Sequence, residues 1–163
     1  MNKMVYLFGG RGAEGNRDMK NLLGGKGANL AEMSNLGLPV PSGFTITTEV
    51  CLGYLKEGGY PSGLREAVAV AIETIESRMN LRFGDEKSPL LVSCRSGARV
   101  SMPGMMDTVL NLGLNRATLH GLVALTGNER FGWDAYRRFI QMFGRIVMDV
   151  PGERFDHALE ARK

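Results

Sequence analysis

Cysteine and histidine are scarce in this sequence. Its 163 residues include two cysteines, Cys51 and Cys94, and two histidines, His120 and His157. No Cys-x-x-Cys pair or Cys/His cluster occurs, so a disulfide framework and a structural zinc site both lack their ligands. A reducing, cytoplasmic setting is the natural expectation, with both thiols buried as small core residues. No run approaches the ~18 consecutive apolar residues of a membrane-spanning helix. The short apolar stretch Val5-Tyr6-Leu7-Phe8 leads directly into Gly9-Gly10, without the cleavage pattern of a secretory signal. A dominant charge sign is missing too. The 20 lysines and arginines stand against 17 acids, for a formal charge of +3, far from the dense basic stripes that grip nucleic acid. Glycine, by contrast, is abundant at 22 residues, and it clusters.

The pattern along the chain predicts an α+β fold that becomes all-helical toward its end. Residues 4–8 read as a strand, followed by a glycine-rich turn. A helical run is expected from about Ala28, with Leu30, Met33 and Leu36 repeating at helical steps and Gly37 at its C-terminus. Phe44-Thr45-Ile46-Thr47 reads as a second strand, and Thr48 as the cap of a short helix closed by Gly58-Gly59. Leu64, Val68, Ile72, Ile75 and Met79 form one apolar helical stripe. Residues 89–95 read as an apolar strand. Trp133, Tyr136, Phe139, Ile140, Phe143 and Ile146 mark a long helix, which Pro151 and Gly152 end. A division is expected at 112/113, between a mixed α/β part (1–112) and a helical part (113–163). The final helix has no partner after it, which suggests a truncated chain.

Three glycine clusters bear on chemistry. Gly10-x-Gly12-x-x-Gly15 fits the dinucleotide fingerprint by spacing, but the next helix starts too late and no second parallel strand is evident, so a plain glycine turn is the better reading. Gly24-Gly25-Lys26-Gly27 opens a helix. Glycine lets backbone N–H groups approach an anion, the helix start adds partial positive charge, and Lys26 adds a full one. The plainer reading is a flexible loop with a solvated lysine. The stretch from Val92 to Thr108 follows an apolar strand with Arg95, Arg99, three serines and Met102-Pro103-Gly104-Met105-Met106. Arginine suits bidentate phosphate contact and methionine packs against a flat ring. The plainer reading makes the methionines core filler and the arginines solvated. His120, His157 and the Arg137-Arg138 pair read as helix-surface residues. No pair of acids has metal-ligand spacing.

Four stretches carry a resemblance. Asn21-Leu22-Leu23-Gly24-Gly25-Lys26-Gly27-Ala28-Asn29-Leu30-Ala31-Glu32-Met33 is the first, and the run from Leu38 to Thr48 is the second. The run from Leu91 to Thr108 and Tyr136-Arg137-Arg138-Phe139-Ile140-Gln141-Met142 complete it. In this order they resemble the N-terminus of the pyruvate, phosphate dikinase family, from about Met4 to the end of the chain. The related phosphoenolpyruvate synthases share the Gly-Gly-Lys helix start, but their corresponding segment is not expected to read Met-Pro-Gly-Met-Met-Asp-Thr.

The resemblance implies the first part of an ATP-grasp nucleotide-binding domain, followed by a helical subdomain. It implies a phosphotransferase that interconverts ATP, phosphate and pyruvate with AMP, diphosphate and phosphoenolpyruvate through a phosphohistidine. Lys26 is then the phosphate-binding lysine. Arg95 holds the ATP phosphates as the catalytic arginine, Arg99 lies nearby, and Gly104, Met105 and Met106 sit beside the nucleotide. The implied partners are ATP, phosphate, the phosphohistidine domain and, in the whole enzyme, a second subunit; nucleic acid and membrane are not among them. Mg²⁺ is implied, with its ligands outside these 163 residues. The histidine-bearing motif is absent from the sequence, so the isolated chain is expected to be inactive. The alternatives are a piece of a synthase-type dikinase, or a standalone phosphate- or nucleotide-binding module.

Overall fold

The computed structural model describes residues 2–10, 12–97 and 108–162. Packing falls into two compact units, one built on the chain up to Asn80 and one on Leu81–Ser96 with the chain from Thr108 onward. This contact division comes earlier than the 112/113 division drawn from composition, because the strand that ends in Arg95 pairs with one that begins at Thr108.

The first unit is a two-stranded antiparallel ribbon clad by helices. Strand β1 (Val5–Phe8) pairs with β2 (Gly43–Ile46), Val5 opposite Ile46 and Phe8 opposite Gly43. β-Branched and aromatic residues favour both strands. Helix α1 (Lys20–Asn35) follows a single 3₁₀ turn at Arg17–Met19. Helix α2 (Thr48–Glu57) continues from β2, and α3 (Leu64–Met79) closes the unit. The core joins Val5, Val50, Leu64 and Ala71, with Leu7, Phe44 and Val68 packed around them. An antiparallel partner for β1 removes the dinucleotide reading of the first glycine cluster, which requires a parallel βαβ unit.

Helix α1 departs from its expected form. It starts eight residues earlier than Ala28, and its buried face is Gly27, Ala28, Ala31 and Ser34. Met33 and Leu36 are 42% and 68% exposed. A Cβ on Gly27 would lie 2.8 Å from both Cγ2 and Oγ1 of Thr45, so closeness to β2 favours glycine at this position.

Polar groups at the end of α1 hold the first glycine turn. Ser34 Oγ accepts from the Gly9 N–H (3.0 Å), and Asn35 accepts from the Ala13 N–H (2.9 Å) and donates to the Gly15 carbonyl (2.9 Å). Glu14 reaches back to β1, accepting from the Leu7 N–H (2.7 Å) and pairing with Lys3. Burial opposes its ionisation, but the Leu7 N–H and the Lys3 ammonium outweigh burial and hold the carboxyl below its usual 4.5. A lowered value in the folded state means that the carboxylate's stabilisation is complete above pH 4.5 and is lost as pH falls through the lowered value. In urea unfolding, Glu14→Gln is expected to be less stable than the parent at neutral pH, with the difference shrinking in acid. A gap that widens in acid contradicts this.

Two other expectations need correction. The residue at the start of α2 is Thr47, which makes no side-chain cap bond; Thr48 lies inside the helix. Both cysteines are exposed, not buried. Only Val50 of α2 is buried, which leaves Cys51 outside, and Cys94 lies on the open face of a two-stranded sheet.

In the second unit, the expected single strand over 89–95 is split. β3 (Arg82–Phe83) runs parallel to β4 (Pro89–Leu90), and β5 (Val92–Arg95) runs antiparallel to β6 (Thr108–Leu112), with an irregularity between Val92 and Cys94. Three helices follow: α4 (Arg116–Thr126), α5 (Glu129–Ile146) and α6 (Gly152–Glu160). Asn115 caps α4 through the N–H groups of Ala117 and Thr118, and Asn128 caps α5 through the Phe131 N–H. Leu114, Leu119 and Ala135 form the core, joined by Leu91, Leu122, Tyr136 and Phe139. Mixed helices with small sheets agree with the α+β expectation.

Candidate nucleotide-binding site

Lys26 owes its place to a break in α1. Gly24 takes φ 68° and ψ 169°, outside helical values, in a region that side-chain-bearing residues avoid. The helix restarts at Gly25, so Lys26 lies in a fresh first turn, where the helix dipole favours an anion. The lysine is half-buried, between the buried Gly25 and Gly27. The glycines of this cluster therefore do different things: Gly24 makes the break, and Gly27 lets the helix lie on Thr45.

Arg95 is the last residue of β5, opposite Thr108. It is exposed, as are Ser93, Cys94, Ser96 and Gly97. The strand therefore presents a polar face ending in a guanidinium. Lys26 and Arg95 belong to different compact units. Arg99, Gly104, Met105 and Met106 lie outside the described residues, so two of the six expected ligands are placed.

Other charged groups are engaged elsewhere. Asp134 accepts from Arg137 (2.8 Å) and pairs with Arg138 (2.8 Å). The Arg137 hydrogen bond is the main reason that its carboxyl sits below the usual range. Arg137 also donates to Gln141. This ladder keeps both arginines along α5, in keeping with the helix-surface reading. His120 on α4 and His157 on α6 are exposed. Among the described residues no three His, Cys, Asp or Glu side chains gather to hold a metal. A groove beside the first glycine turn, lined by Gly10, Gly12, Glu14, Ser42 and Arg78, was not anticipated. Its parts come from three distant stretches, and no local motif announces it. No helix among the described residues is long and apolar enough to cross a membrane.

Residues 20–82 match the family described as pyruvate phosphate dikinase, AMP/ATP-binding domain. Across its whole length the chain is 57% identical to a pyruvate, phosphate dikinase of Rhizobium meliloti strain 1021, covering 18% of that protein. It is 55% identical, over 99% of its length, to the chloroplastic pyruvate, phosphate dikinase 1 of Oryza sativa subsp. japonica, covering 17%. A Clostridium symbiosum pyruvate, phosphate dikinase is 52% identical over all of this chain and 18% of its own. Over its whole length the chain is thus similar to pyruvate, phosphate dikinases, and residues 20–82 match that family's AMP/ATP-binding domain.

It spans less than a fifth of the dikinases that it matches. The AMP/ATP-binding match takes in the Gly24 break, Lys26 and the Thr45 contact. Arg95 lies beyond that match but inside the stretch shared with the whole dikinases.

Proposed function

We propose that this chain forms the nucleotide-holding part of a pyruvate, phosphate dikinase. Residues 1–112 contribute the first part of an ATP-grasp domain, and residues 113–163 a helical subdomain. The observation that carries the reading is the broken helix that starts afresh with Lys26 in its first turn, inside the stretch that matches an AMP/ATP-binding domain.

In this reading the Lys26 ammonium, the Arg95 guanidinium and Arg99 supply positive charge for the ATP phosphates, and Gly104, Met105 and Met106 belong to the nucleotide site. Phosphoryl transfer has little covalent work for protein groups; it depends on positioning and on charges placed where negative charge develops. The β-phosphoryl of ATP passes to a histidine on another domain and the γ-phosphoryl to inorganic phosphate, giving AMP and diphosphate. The phosphohistidine then converts pyruvate to phosphoenolpyruvate. Mg²⁺, when bound, shields the triphosphate; its ligands come from elsewhere in the protein. A homodimer and a cytoplasmic setting complete the proposal.

The test is an exchange. Put in place of the matching stretch of the Rhizobium meliloti dikinase, this chain is expected to support phosphoenolpyruvate formation from ATP, phosphate and pyruvate, whereas the isolated chain forms none. A folded chimera without activity, or turnover by the isolated chain, would overturn the reading.

A further inference from the structure

We propose that Thr48 is a positioning residue for Lys26, bracing the broken helix that presents it; this rests on the nucleotide-binding reading above. With Gly24 outside helical values, carbonyls just ahead of the break are displaced from the N–H groups four residues on. One of them finds a partner outside the helix: Thr48 Oγ1 donates to the Asn21 carbonyl at 2.6 Å. The donor stands on firm ground. Thr48 opens α2, and its neighbour Thr47 is 1% exposed, with its N–H bonded to the Met4 carbonyl (3.0 Å) at the edge of the ribbon.

The far side of the break is braced from the same piece of chain. Thr45 of β2 touches the position where a Gly27 Cβ would be. Thr45 and Thr48 are thus three residues apart on one strand-to-helix turn, and they pin the helix before and after Gly24. Lys26 lies between the two pins. Releasing the Asn21 carbonyl lets Lys20–Leu23 relax toward a continuous helix, which would turn Lys26 away from its present direction. Valine has the shape of threonine without the donor, and serine keeps the donor without the methyl.

The test is an NMR titration of the 163-residue chain with inorganic tripolyphosphate, read at the amides of Gly25, Lys26 and Gly27. These signals are expected to shift in the parent, and the response is expected to vanish in Lys26→Ala. Loss of one hydrogen bond predicts about three- to tenfold weaker binding in Thr48→Val, with a melting temperature lower by about 2–4 °C, and parental affinity and melting temperature in Thr48→Ser. Thr48→Ala replaces the valine variant should the latter fail to fold. Parental affinity in Thr48→Val alongside loss in Lys26→Ala would overturn the positioning role and leave the Lys26 reading standing. Weakening in Thr48→Ser equal to that in valine would also overturn it, by showing that packing rather than the hydroxyl matters. No shift in the parent would overturn both readings.

Discussion

Valine at position 27 is expected to destabilise the first unit by about 3 kcal/mol, the upper part of the usual range for overpacking. The first added carbon alone would lie 2.8 Å from two atoms of Thr45 and 3.3 Å from Cβ of Leu23. Leu23 is 3% exposed and has nowhere to retreat. Rotating Thr45 moves one of its two branches away but brings the other into the gap. A helical glycine replaced by a better helix former gains roughly 0.5–1 kcal/mol, which offsets only part of the collision that alanine's Cβ already makes, so alanine should destabilise and valine more so. Urea unfolding measures both. Thr45→Ala should recover part of the loss in the Gly27→Val background, since it removes the atoms in collision. Parental stability in Gly27→Val would show that α1 does not lie on β2 as described.

The second large effect is catalytic. In the chimeric dikinase, Lys26→Ala and Arg95→Ala are each expected to lower turnover by about 10²–10³. That corresponds to roughly 2.7–4 kcal/mol of lost transition-state stabilisation, the scale for removing one preorganised charge-binding group. Urea midpoints close to the parent's are expected for Arg95→Ala, because Arg95 is exposed. Rates within a few-fold of the parent in both single variants would contradict the assignment.

What could be read from the sequence follows from which contacts are local. β1, β2, α3 and α5 were legible because their residue types and periods carry the signal within one window. Helix α1 was misread because its buried face is Gly27, Ala28, Ala31 and Ser34. Small residues on that face leave no apolar stripe. Strand β6 is absent from the sequence reading although Thr108-Val109-Leu110 has β-forming residues; its partner β5 lies across residues 96–107, a separation that hides the pairing. The Gly-Gly-Lys-Gly cluster pointed to Lys26 from its composition alone. The reason for Gly27 was not legible, because Thr45 is 18 residues away and only the fold brings it there. The Thr48 brace was hidden for the same cause: Asn21 lies 27 residues earlier.

Lys26, in the first turn of the restarted helix, is the cation on which the proposed nucleotide site rests. A titration of the isotopically labelled chain with MgATP tests it, following the amides of Gly25, Lys26 and Gly27. Saturable shifts at these amides are predicted in the parent, with the response lost in Lys26→Ala. Unshifted amides in the parent, or shifts that persist in Lys26→Ala, would contradict it.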